Sequence, residues 1–427
     1  MSKSGTRDSK HVKQILAAVI GNALEWYDFI VFGFFSTILA PLFFPSHDEH
    51  ASLMLVFATF GAGFFTRPLG GVILGIIADK KGRKIALQLV ILLMTIAIAI
   101  ISFAPTYVSI GLSAPLLMLF ARLLQGFATG GEFASSTAFL VEAAPSNKRG
   151  FYGSLQMAGQ CFAAMLATLV GILVTRYFTQ DQITDWAWRI PFIAGLLIGP
   201  VGLFIRRHLE ETRSFVDYSK KQQAKLTFLE LIKANSSGVI ASFFATICAT
   251  IYFYIILIYM PTYGKTEMGL SLEEAFLAEA SGLLFLILLT PIFGWLSDKY
   301  GRLPFLRFSS GLFLVFTYPL FYWALQDTTF LKFTALQIVL SILMSATVGV
   351  FSTALAEQFE TGMRSTGMAV AYNFAVMIFG GFAPLIVTSL ISTLNSPIAP
   401  AYYVMFGAAA GLMASYLLKD KYQAKTL

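Results

Sequence analysis

Gly75-Ile76-Ile77-Ala78-Asp79-Lys80-Lys81-Gly82-Arg83 is answered 219 residues later by Gly294-Trp295-Leu296-Ser297-Asp298-Lys299-Tyr300-Gly301-Arg302. Both read G-x-x-x-D-K-x-G-R, and each closes a long apolar run. A second pair agrees: Glu142 and Arg149 lie seven apart, as do Glu357 and Arg364, at an offset of 215. Two matches at nearly one offset mark an internal repeat. Glycine at the turn lets a short loop reverse between two helices. The first glycine of the pattern lets a neighbouring helix come close. The aspartate and basic residues then stand at helix ends, where they can cap them or pair across helices. Asp79, Arg83, Asp298, Arg302, Glu142, Arg149, Glu357 and Arg364 are therefore the expected conformational gate, a latch that holds in one conformation and breaks in the other. The bland alternative is a solvated basic turn in each half.

Outward from these loops the chain divides into twelve apolar runs, spans 1–12: residues 15–44, 52–78, 84–104, 114–142, 150–176, 187–206, 237–262, 272–297, 303–325, 332–357, 364–392 and 398–418. About 20 apolar residues cross a ~30 Å hydrocarbon layer as a helix. Alternation of period two is missing, so helices are favoured over a barrel. Composition agrees. Of 427 residues, 57% are hydrophobic and 12% charged, with mean hydropathy +0.73; soluble chains carry roughly 25% charged residues. The expected fold is an all-α membrane protein of twelve transmembrane helices in two six-helix pseudo-repeats. The halves are residues 1–206 and 236–427, joined by a polar cytoplasmic linker at 207–235.

The segments assigned to the cytoplasm hold 24 of the 30 lysines and arginines, which places both termini inside. The net charge of +7 sits at the ends of apolar runs, so it speaks for a membrane surface and against a nucleic-acid partner. No cleavable signal peptide is visible. Cys161 and Cys248 lie within apolar runs and read as small buried hydrophobes. All four histidines lie outside the spans, which excludes an intramembrane histidine metal cluster. A phosphate-binding G-x-x-x-x-G-K-[ST] loop is missing, which argues against an ATP-driven pump. Convergent nucleophile and base groups are missing as well, so neither an enzyme nor a cofactor is expected.

The paired motifs resemble the major facilitator superfamily, a fold of two six-helix halves. Further stretches resemble its metabolite:proton symporter family. They are Gly21-Asn22-Ala23-Leu24-Glu25-Trp26-Tyr27-Asp28-Phe29, Arg67-Pro68-Leu69-Gly70-Gly71, Arg122-Leu123-Leu124-Gln125-Gly126-Phe127 with Gly130-Gly131-Glu132, and Asp185-Trp186-Ala187-Trp188-Arg189-Ile190-Pro191-Phe192. The resemblance implies a monomer in the bacterial inner membrane, a central cavity lined by spans 1 and 4, and import driven by the proton gradient. Gln156, Gln160 and Phe379-Gly380-Gly381-Phe382-Ala383-Pro384 look like citrate-type carriers, whereas Tyr259-Met260-Pro261-Thr262-Tyr263 and Pro400-Ala401-Tyr402-Tyr403 look like proline/betaine carriers. The expected cargo is a small polar metabolite such as citrate or a dicarboxylate, with a proline/betaine-type osmolyte as the alternative. A transporter-like sensor that binds a metabolite without moving it is the rival of another class.

Charges within spans are costly, from ~2.5 kcal/mol each on insertion scales, so each is a functional candidate. Glu25 and Asp28 share a helical face with Asn22. Arg122, Gln125, Thr129 and Glu132 form a polar stripe at 3–4 spacing. The expected scheme makes Arg122 the fixed cation for a substrate carboxylate. Asp28, Glu25 or Glu132 carries the proton. Gln125, Gln156, Gln160, Tyr252, Tyr372, Asn373 and Asn22 complete the expected substrate site. Arg67 is expected to pair structurally with a nearby acid. Glu279 stands alone in the outer half of span 8, and Tyr259 and Tyr263 fit an interfacial aromatic belt.

Overall fold

The computed structural model describes residues 3–81, 83–196, 235–360 and 364–420; within these, the side chains of 3–14, 16–18, 75, 78–81, 83, 84, 86 and 87 lie outside the description. The expected linker 207–235, save Asn235, and the side chains of Asp79 and Arg83 thus fall outside the described part. Every regular element among the described residues is helical.

Span 1 is Lys3–Phe34, bent by 64° into Ser36–Phe43. Span 2 is Glu49–Phe65 and Arg67–Lys81; span 3 is Arg83–Phe103; span 4 is Ser113–Thr129 and Glu132–Ala143; span 5 is Arg149–Tyr177. Span 6 opens with a 3-10 turn, Ala187–Arg189, and is described to residue 196. Span 7 runs Ser236–Tyr252, a π-helical stretch Phe253–Tyr259, then Met260–Thr266. Spans 8, 9 and 10 are Leu272–Tyr300, Leu303–Leu325 and Phe330–Ala356. Span 11 is Arg364–Ala375, a π-helical stretch Val376–Gly380, then Ala383–Leu394; span 12 is Ala399–Leu417. Among the described residues, seven helices are long and apolar enough to cross a membrane, and an eighth is if bent span 1 counts as one. Spans 3, 4 and 12 are shorter or interrupted. Exposed Leu116, Phe120, Leu173, Leu288 and Val315 give the outer wall the apolar surface that lipid requires.

Spans 2 and 4 cross almost backbone to backbone. A Cβ on Gly126 would overlap the Gly63 carbonyl oxygen, and the Thr66 hydroxyl donates across the crossing to the Leu123 carbonyl at 2.7 Å. This is small-residue packing of the kind that replaces the hydrophobic effect in lipid. The Asp185–Phe192 stretch also proves to be packing: Trp188 is buried edge-on against Phe43 at 5.3 Å, and Arg189 donates to the Ala104 carbonyl at 3.0 Å.

The second copy of the repeat joins the two halves at one end of the molecule, the basic face. Asp298 accepts from the backbone N–H groups of Gly150, 2.7 Å, and Phe151, 2.9 Å, and so caps the first turn of span 5 in the other half. Gly294 comes so near that a Cβ on it would stand 2.7 Å from the Gly150 carbonyl oxygen. Gly301 makes the turn at φ +87°, a left-handed value that glycine adopts freely. Arg302 pairs with Asp298 at 3.0 Å and with Glu357 at 3.2 Å. Burial pulls the Arg302 guanidinium down from its ordinary range, and Glu357 and Asp298 more than restore it. The cation persists at any physiological pH.

Arg364 does not pair with Glu357 across its own loop; it meets Glu142 of the other half at 2.8 Å. Arg149 does not pair with Glu142 either. Its carbonyl accepts from Thr353 at 3.0 Å. The reason is geometric. The turn places the two members of each sequence pair on separate helices, so Arg364 finds its nearer partner in the facing half and Glu357 finds its own in Arg302 of the next loop.

The far face is closed as well. Phe34 and Phe35 pack on Phe276 at 5.7 and 6.0 Å, Ser36 bonds Thr262 at 2.9 Å, and His50 lies 3.5 Å from Glu267. Tyr259 and Tyr263 are fully buried, not in an interfacial belt. Span 7 is wedged between the halves, so Tyr259 meets Phe57 and Thr388, and Tyr263 donates to the Pro397 carbonyl at 2.8 Å.

Candidate functional site

Midway between the two faces, spans 1, 2, 4, 5, 7, 10 and 11 converge on two small cavities. The first is lined by Asn22, Glu25, Trp26, Phe29, Arg67, Thr129, Glu132 and Phe133, and has a volume of about 10 Å³. The second, about 20 Å³, has walls of Trp26, Phe133, Phe253, Tyr254, Phe351 and Tyr372, with Gln160 among the polar groups. Either holds a single water and nothing larger. Trp26 and Phe133 belong to both, so the two form one chamber squeezed shut by rings. Phe133 stacks on Tyr372 across the halves at 3.8 Å, nearly parallel at 5°.

Two guanidiniums stand in this wall. Arg67 lines the first cavity and lies over Phe64, Phe29 and Trp26 at 4.2, 4.9 and 5.6 Å. Tyr372 of the other half lies within its electrostatic reach. Arg122 is fully buried behind Phe29, lying over the rings of Phe29, Phe32 and Phe60 at 4.5, 4.5 and 4.7 Å. It donates to the Gln125 side-chain oxygen at 2.8 Å. Its Nε and one terminal nitrogen have no hydrogen-bond partner. No carboxylate lies within ion-pair distance of it among the described residues. Ring contacts return about 0.5–2 kcal/mol each, whereas two unmet buried donors cost about 1–3 kcal/mol each. Arg122 therefore keeps two donors unspent inside a wall of rings.

The acids are placed unequally. Glu25 and Glu132 line the first cavity with Arg67. Asp28 is buried against Gly195 of span 6, with one oxygen lacking a hydrogen-bond partner. It touches neither cavity. Asp28 and Arg122 interact electrostatically without forming an ion pair.

The remaining candidates divide between chamber and framework. Asn22 accepts from Gln160 at 2.9 Å, joining spans 1 and 5 at the chamber wall. Asn373 reaches across the halves to the Gly130 carbonyl at 2.8 Å, filling an acceptor freed where span 4 breaks. Gln156 spends its amide on Thr137 and on the Phe133 carbonyl, tying span 5 to span 4. Tyr252 stacks on Phe313 of span 9 at 4.0 Å, behind the chamber. The tyrosine that faces inward is Tyr254, which periodicity could not choose because span 7 is buried all round. Arg67, expected to pair with a nearby acid, shares the first cavity's wall with Glu25 and Glu132, and the rings of Trp26, Phe133, Phe253 and Phe351 were not foreseen.

The comparisons with known proteins agree in kind. The sequence pattern of the Major Facilitator Superfamily matches residues 26–384. A citrate-proton symporter of Klebsiella pneumoniae is 37% identical over 413 residues, covering 97% of this chain and 93% of its own. A proline/betaine transporter of Escherichia coli (strain K12) is 32% identical over 423 residues, covering 97% and 84%. In fold, the chain is similar to a proton:xylose symporter bound to 6-bromo-6-deoxy-D-glucose, with a TM-score of 0.75 at 17% identity over 96% of this chain and 95% of that one.

Proposed function

We propose, from the premise that this chain belongs to the major facilitator superfamily and is a multi-pass membrane transporter rather than an enzyme, that it imports a small carboxylated metabolite together with protons. The observation that carries this reading is the pair of buried guanidiniums on the Phe29 ring, two donors of Arg122 being unspent. Citrate-proton symport by relatives at 35–37% identity supports the same chemistry.

Arg67 meets the substrate carboxylate at the chamber wall, and Arg122 holds it more deeply once Phe29 moves aside. Gln125, Asn22, Gln160, Tyr372 and Asn373 orient it, with Tyr254 as a further wall. Gln156 and Tyr252 hold the frame behind them. Asp28 is the proton carrier. Deprotonated, it draws the Arg122 guanidinium toward span 1; protonated, it releases that cation to the substrate. Glu25 and Glu132 tune the charge beside Arg67. No covalent step is needed. The basic face is cytoplasmic, both termini lie inside, the membrane is the bacterial inner membrane, and the unit is a monomer of two six-helix halves.

Purified protein in proteoliposomes tests this with labelled citrate and an imposed pH gradient, inside alkaline. Uphill uptake is expected. Asp28→Asn should retain counterflow and lose accumulation; accumulation that survives the substitution removes Asp28 from the scheme. Saturable binding with no accumulation in the unsubstituted protein would make it a sensor. The aromatic lining of the second cavity favours one further reading, capture of a quaternary ammonium over ring faces, as in a betaine carrier. Betaine that outcompetes citrate would select it.

A further inference from the structure

Glu279 lies outside the site above. It sits seven residues into span 8, about 10 Å from that helix's far-face end at 1.5 Å per residue, and is fully buried. Three elements enclose it. Span 10 supplies Gln337, whose amide nitrogen donates both to one Glu279 oxygen and to the Ile256 carbonyl, the latter at 2.7 Å. Ile256 belongs to the π-helical stretch of span 7, which also carries Tyr254 into the chamber. Span 5, from the other half, brings Cys161 within electrostatic reach. No charged group acts on Glu279 from spans 7 or 10, and no lysine, arginine or histidine is within ion-pair distance, among the described residues.

The other Glu279 oxygen, the Gln337 side-chain oxygen and the Ser341 hydroxyl all lack hydrogen-bond partners. Gln337 and Ser341 both flank Gly282, one turn along the same face of span 8. A bare carboxylate in this setting is an uncompensated buried charge. The neutral acid removes that charge and brings an O–H, which Gln337 or Ser341 is placed to accept. One turn toward the far face from Glu279 is Phe276, the ring on which Phe34 and Phe35 close. Separation of the halves there leads water to Glu279.

We propose that Glu279 is a second proton-binding site, which must take a proton before the far face can close over the seam between the halves. Through Gln337, proton occupancy also reaches the π-helical stretch of span 7. The proposal rests on the proton-driven import proposed above and is independent of the role given to Asp28.

Infrared difference spectroscopy on the full purified chain in nanodiscs, without substrate or gradient, reads the proton directly. A protonated-carboxyl band should disappear on raising the pH and be missing in Glu279→Gln. Gln337→Met removes the donor to the charged form, so the band should persist to higher pH. Counterflow at equal pH on both sides gives the second readout. Above the band's midpoint it should fall about tenfold per pH unit, and Glu279→Gln should flatten that profile. A spectrum that Glu279→Gln leaves unchanged overturns the proposal. So does a Glu279→Gln protein that folds and keeps the full pH dependence, since the acid would then be permanently neutral packing. Loss of accumulation in Asp28→Asn is read separately, so either result can fail without the other.

Discussion

Replacing Asp298 by asparagine should open the basic face. The carboxylate accepts two backbone N–H groups of span 5 at 2.7 and 2.9 Å and faces Arg302 at 3.0 Å. It is nearly inaccessible, so solvent screens little of this. Hydrogen bonds to a charged group contribute about 1.5–3 kcal/mol each. Asparagine keeps one acceptor oxygen but loses the charge at the helix N-terminus. A net loss of about 2–4 kcal/mol follows, which shifts the closed-to-open ratio roughly 30- to 1,000-fold at ten-fold per 1.36 kcal/mol. Arg302 keeps Glu357, so folding should survive. Spin labels at Asn147→Cys and Lys299→Cys stand on exposed positions of opposite halves. Cys161→Ala and Cys248→Ala remove the native thiols, both buried. Asp298→Asn should add a longer inter-label distance to the distribution. A folded variant whose distribution matches that of the unsubstituted aspartate refutes the latch and leaves Asp298 as an ordinary helix cap.

Two further outcomes are expected. In a double-mutant cycle of Glu142→Gln and Arg364→Gln, thermal unfolding should show a coupling of about 1–3 kcal/mol, and strict additivity would mean that the 2.8 Å pair does no joining of the halves. Gly126→Val should lower the unfolding temperature, by overpacking of about 1–3 kcal/mol or more, because the Gly63 carbonyl cannot retreat; Gly131→Ala, with nothing within 4 Å, should leave it unchanged.

The architecture was readable because lipid imposes a coarse rule: long apolar runs, basic ends, and one motif used twice. Gly294 makes the close approach, and Asp298 and Arg302 the capping and pairing, that their spacing implied. The partners of Glu142 and Glu357 were not readable, since adjacency in sequence says nothing of which other loop, in the same half or the facing one, comes nearest. The site was legible by residue type and only partly by direction. Arg122 and Asp28 are deeply buried, as charges inside spans suggest, yet both sit one side chain behind the chamber. Tyr252 and Tyr254 differ by two positions on a helix apolar on every side, so hydropathy assigns neither an inward face. The π-helical stretches at Phe253–Tyr259 and Val376–Gly380 leave no composition signal at all, because they add a residue to a turn without changing its polarity.

The chamber can shrink to the size of a water because Trp26, Phe133, Tyr254 and Tyr372 occupy it themselves. Side chains that serve as their own cargo let the barrier on either side form without a passenger. Under the import proposed above, such a protein is expected to make the homeward leg of a one-way trip, which a strict exchanger cannot. Its direction is then set by the ion gradient instead of by what waits on the other side.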